Sequence, residues 1–79
     1  MKQRDPKDTL KELGKNWPSS LVARTEIRKF TGGAISEKRL ANLDSLGLGP
    51  SDRLRIGKKV CYPVSSLIEW LAARAEALN

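Results

Sequence analysis

The run from Arg53 to Pro63, Arg-Leu-Arg-Ile-Gly-Lys-Lys-Val-Cys-Tyr-Pro, constrains this chain more than any other stretch. Two short segments of alternating apolar and polar residues flank Gly57-Lys58-Lys59, and four of the first seven residues are cations with no acid among them. Alternation is the period of a half-buried strand, and a glycine between β-branched residues marks a hairpin turn. The spacing therefore predicts a β-hairpin with positive charge along one strand and at its tip. Such a tip can lie on phosphates, which ask for charge and close backbone approach rather than for a base-specific shape. The same cations also protect an exposed strand edge from aggregation.

The segments around the hairpin read as helices. Arg24 to Phe30 places Ile27 and Phe30 at helical spacing, with Glu26 in the first turn and Ala23 as a poor cap. Thr31-Gly32-Gly33 ends it with the left-handed freedom that a sharp reversal between helices needs. A second helix opens after Ser36, a good N-cap residue. Leu40 and Leu43 turn inward, Ile35 and Leu46 close the ends, and Lys38, Ala41, Asn42 and Ser45 face solvent. Gly47-Leu48-Gly49-Pro50 stops it. A last helix is expected from about Ser65 towards Asn79, with Ser66 and Glu69 spaced as a capping box and Leu67, Trp70, Leu71, Arg74 and Leu78 along one face. Leu21-Val22 reads as a very short strand.

Met1 to Ser20 differs from the rest. Lys2, Arg4, Lys7, Lys11 and Lys15 alternate with Asp5, Asp8 and Glu12, and Leu10, Leu13 and Trp17 are its large apolar residues. A short helix from about Asp8 to Leu13, stopped by Gly14, is expected in a loosely held arm pinned by Trp17. The domain proper then spans 21–79, mainly α with a small β-hairpin.

Seventy-nine residues form one domain with a thin core and little room for an enzyme's cleft. A formal net charge of +6 favours an acidic partner, nucleic acid before an anionic membrane surface, although charge also serves solubility. The absence of histidine removes imidazole ligands and every His-dependent catalytic arrangement. Cys61 stands alone, so no intramolecular disulfide forms and a reducing cytoplasm is the natural compartment. No apolar run approaches membrane-spanning length, and the N-terminus lacks a signal peptide's apolar region. No cofactor and no metal site is expected, because the carboxylates are scattered singly.

Candidate functional residues fall in two groups. On the helix that Ser36 opens, Lys38 and Asn42 suit base edges and Arg39 a phosphate, Ser36 itself is a further candidate DNA contact, and Ala41 and Ser45 are small enough for close approach. An ordinary solvated face would carry the same residue types. On the hairpin, Arg53, Arg55, Lys58 and Lys59 are candidate phosphate contacts. Tyr62 is either a further phosphate donor or a half-buried residue packing on the last helix.

The order helix, glycine turn, helix, basic hairpin, and then Ser-Ser-Leu-Ile-Glu-Trp-Leu resembles the excisionase and AlpA-like winged helix-turn-helix family of the MerR-like group. Arg55 to Val60 match its wing, and Leu67 to Leu71 its Leu-x-x-Trp-Leu; the likeness covers about Leu21 to Arg74. Ala23 in place of a capping threonine, the double glycine, Ala41 and the long Gly47–Asp52 connection depart from the pattern. The resemblance implies a non-enzymatic protein that binds double-stranded DNA, with the Ser36 helix in the major groove and the hairpin tip on the backbone or minor groove. It further implies regulation of transcription or recombination in a prophage or mobile element, or DNA binding within a phage terminase small subunit. Cooperative self-association on DNA and an integrase or other phage protein are the partners it suggests. A winged-helix module that binds protein and not DNA is the alternative.

Overall fold

The computed structural model describes residues 5–78. Lys2 and Arg4 of the expected arm, and Asn79 at the end of the expected last helix, lie outside them. Helix α1 spans Pro6–Asn16. The Asp5 carboxylate caps it by accepting the Lys7 N–H at 2.9 Å, and Pro6 opens it where the missing N–H costs nothing. It is longer than the expected Asp8–Leu13, because Gly14 does not stop it. A Cβ at Gly14 would fall 2.9 Å from Ile68 Cδ1 and 3.0 Å from Val64 Cγ1. The glycine is there to let α1 lie close on the last helix, which outweighs a helix penalty of about 1 kcal/mol.

Strand β1 is Leu21–Ala23, followed by a 3₁₀ turn over Arg24–Glu26 and helix α2 over Ile27–Phe30. The single helix expected from Arg24 is thus split. Ala23 offers no side-chain acceptor, so the first turn tightens into 3₁₀ geometry. Thr31 stabilises the reversal that follows: its hydroxyl donates to the Ile27 carbonyl at 2.9 Å and accepts the Ile35 N–H at 3.2 Å. Gly32 and Gly33 take φ of 65° and 92°, inside the left-handed region. Helix α3 spans Glu37–Ser45, capped by Ser36 Oγ on the Arg39 N–H at 3.1 Å.

Strands β2, Leu54–Ile56, and β3, Lys59–Pro63, form the hairpin, and helix α4 follows at once over Val64–Arg74. Gly57 takes a φ of 62° while Lys58 keeps an ordinary angle, the pattern of a type II′ turn that suits strand twist. The expected capping box does not form. Pro63 occupies the N-cap position, and Ser66 Oγ donates instead to Asp52 Oδ2 at 2.6 Å. One of the helix's free amides is satisfied from outside, by Val64 N–H on the Ser20 carbonyl at 2.8 Å. Because α4 ends at Arg74, Leu78 is 73% exposed rather than on the apolar face; Leu46, beyond the last turn of α3, is likewise exposed at 69%.

The sheet is antiparallel, ordered β1-β3-β2. Val22 pairs with Tyr62 and Arg55 with Val60, so these four residues share one sheet face. The molecule is therefore mixed α/β, four helices on a three-stranded antiparallel sheet, rather than mainly α with an isolated hairpin: β1 supplies the third strand. The core gathers Val22, Tyr62, Ile27, Phe30, Leu40, Leu67 and Leu71. Each such side chain contributes about 1.5–3 kcal/mol by leaving water. Trp17 sets its ring edge-on to Phe30 at 5.3 Å and donates its indole N–H to the Leu21 carbonyl at 2.9 Å, which joins α1 to the body. Trp70, expected along one face of the last helix with Leu67 and Leu71, sits half-buried at the margin of the core and holds the Gly47–Asp52 connection through its N–H on the Leu48 carbonyl at 2.9 Å. Among the described residues no helix is long and apolar enough to cross a membrane.

Candidate nucleic-acid interface

Helix α3 divides cleanly into two faces. Leu40 and Leu43 are buried, whereas Lys38, Arg39, Asn42 and Ser45 are exposed and Ala41 is half-buried. The Asn42 side chain makes no hydrogen bond among the described residues, while its backbone carbonyl accepts from Ser45 Oγ and the Leu46 N–H. Both its amide donor and its acceptor face solvent and are available to a base edge. Ser36 serves the site as the cap that starts the helix, which fixes where Lys38 and Arg39 project.

Arg55, Lys58 and Lys59 are exposed on the hairpin and make no ion pair among the described residues, as is true of Lys38 and Arg39. Lys58, Lys59 and Val60 line a cleft of about 170 Å³ whose other walls are Arg24, Thr25 and Glu37. Glu37 is the first residue of α3, so the hairpin tip stands beside the N-terminal end of that helix. The hairpin tip and the start of α3, separate in sequence, adjoin at this point.

Two candidates are placed elsewhere. Tyr62 is fully buried. Its hydroxyl donates to Asp44 Oδ2 and accepts from Arg24 Nε at 2.9 Å, which leaves no contact with a phosphate. The physical reason is register: Tyr62 lies opposite Val22 on the core face of β3, and a phenol driven into the core must find a partner there. Burial, reinforced by the bond to Asp44, pushes its pKa up to about 12. Arg53 is half-exposed, and its Nη1 lies 3.2 Å from Asp44 Oδ1 as an ion pair without hydrogen-bond geometry.

Asp44 and Arg24 escaped the reading of the sequence. Asp44 is buried, and its Oδ2 also receives Arg24 Nη2 at 2.6 Å. A signal was present: Leu40, Leu43 and Asp44 stand at i, i+3 and i+4, so the acid occupies the inward stripe, where a charge needs partners. Gly49 completes the enclosure, since a Cβ there would lie 1.9 Å from Asp44 Oδ1. Arg28 and Lys29 are further exposed cations, at the end of α2. Among the described residues no group of His, Cys, Asp and Glu is arranged to hold a metal ion. No protein-family model matches the chain, and neither a curated protein nor a solved structure does.

Proposed function

We propose that this chain binds double-stranded DNA as a winged helix-turn-helix protein, with α2 and α3 as the helix pair and β2–β3 as the wing. The observation that carries this reading is the shared cleft at Glu37, Lys58 and Lys59, with five cations on α3 and the hairpin that make no ion pair among the described residues. A major groove about 12 Å wide admits a helix, and α3 offers it Lys38 and Asn42 beside the half-buried Ala41 and the small Ser45. Arg39, Arg55, Lys58 and Lys59 neutralise phosphates on either side of that groove. The +6 net charge supplies the long-range attraction. Deformation of the duplex and neighbouring copies would add the affinity that one small domain lacks, which is the economy of an excisionase-like or AlpA-like regulator of a mobile element.

Asn42→Ala tests the groove assignment. Duplexes selected from a random pool should lose about tenfold in affinity, the scale of one base contact, while scrambled duplexes bind as before. Equal losses on both would remove Asn42 from sequence recognition.

A further inference from the structure

Among the described residues, Asp44 is the one charged side chain in the buried set. It stands where α3, the 3₁₀ turn, β3 and the segment leading into β2 meet. Its two oxygens are used differently. Oδ2 takes both the Tyr62 hydroxyl and Arg24 Nη2, and Arg24 Nε closes the triangle on Tyr62. Oδ1 accepts no hydrogen bond; it faces Gly49 and the guanidinium of Arg53, whose side chain is 49% exposed. One oxygen accepts two hydrogen bonds, and the other faces a cation that can reach solvent.

We infer that Asp44 is the positioning residue of this interface: it fixes the hairpin against α3 and holds Arg53 off the phosphates. The inference rests on the DNA-binding reading above. On α3, Asp44 follows the groove-facing Asn42 by two residues; on β3, Tyr62 follows the phosphate-facing Lys59 by three. The Asp44–Tyr62 bond is thus a short strut between the two contact groups. Helix and tip must engage the duplex together, so sequence discrimination depends on the angle that this strut sets. Asp44 offers one negative charge to two arginines, so the cluster keeps a positive charge, but Arg53 held at Oδ1 makes no direct phosphate contact of the sequence-independent kind that blurs discrimination.

The test uses the full chain with Tyr62→Phe, Asp44→Asn and Arg53→Gln, a duplex selected from a random library, and a scrambled duplex of equal length. Residual dipolar couplings on the DNA-free protein report the angle between α3 and the hairpin. In Tyr62→Phe the preference for the selected duplex should fall about tenfold at unchanged salt dependence, with the couplings shifted. Asp44→Asn frees two arginines, so scrambled DNA should bind more tightly and with a steeper salt slope. Arg53→Gln, a change at a half-exposed side chain, should keep the wild-type slope.

A folded Tyr62→Phe with wild-type preference and couplings overturns the strut. An Arg53→Gln slope flatter by about one unit puts Arg53 on a phosphate and overturns its sequestration. If the wild type binds neither duplex, the DNA reading fails, and the couplings alone then decide whether Asp44 orients the hairpin.

Discussion

Where α1 lies on α4 the contact is apolar and passes through a glycine, Gly14, against Val64 and Ile68. Where α3 meets β3 the contact is a buried carboxylate between two arginines and a tyrosine. The first kind of junction tolerates sliding, because apolar contact is non-directional and falls off gradually with area. The second tolerates less, since a hydrogen bond is directional and weakens steeply when misaligned, and buried polar groups that lose it are stranded. Helix α1 is held by adhesion and the candidate interface by geometry. A surface that must match a duplex at two places needs the second kind.

Substitutions can break this contrast, and the largest effect is expected at the polar junction. Asp44→Ala removes the carboxylate and leaves Arg24 and Tyr62 without their acceptor, at a cost of about 3 kcal/mol in urea-induced unfolding. A loss below 1 kcal/mol would mean that the junction is packed rather than bonded.

Alkaline titration probes the same junction without mutation. Folding raises the Tyr62 pKa from 10.0 to about 12. Between those values the unfolded chain has released a proton that the folded chain retains, so ν_U is below ν_N and stability falls as pH rises. The contribution is complete below about pH 10 and is lost through about pH 12, on the order of 2–3 kcal/mol. Tyr62→Phe should flatten this decline in a pH series of thermal melts; an identical decline in the variant would assign it to other groups.

At the apolar junction, Gly14→Leu wedges α1 away from α4 and should cost about 2 kcal/mol, with the loss confined to amide exchange in α1 and α4. Protection lost equally in α3 and β3 would show that the two junctions are one cooperative unit. The smallest stability change belongs to Lys58→Ala with Lys59→Ala at the hairpin tip, within about 0.5 kcal/mol of wild type. The same pair should flatten the salt dependence of DNA binding by about two charges. An unchanged salt slope would place the tip outside the contact.

The division between the junctions also explains what could be read in advance. The α3 helix was legible because Ser36 is a strong local cap and Leu40 and Leu43 share a stripe. The hairpin was legible because Gly57 is required at a left-handed turn position. Gly14 misled because composition describes a glycine's cost to a helix but not the neighbour that makes it necessary. Strand β1 was legible as the very short run Leu21-Val22, but not its pairing with β3, which turns a hairpin into a sheet. Ser66 had the spacing of a cap and serves instead as a tertiary donor to Asp52. Tyr62 was read as a phosphate donor or a half-buried residue on the last helix; it is fully buried, and its hydroxyl's acceptor lay 18 residues away on another element. Contacts local in sequence left a pattern; the polar junction, assembled from four separated segments, left only an acid on an apolar stripe.

The most direct test of the central claim is an amide-shift titration by NMR with a short random duplex at low salt, repeated at higher salt. The account predicts shifts concentrated at Lys38–Asn42 and Gly57–Lys59, fading as salt rises, with α1 silent. Shifts confined to α1, or none at either salt, would contradict it and leave the hairpin cations a role in solubility alone.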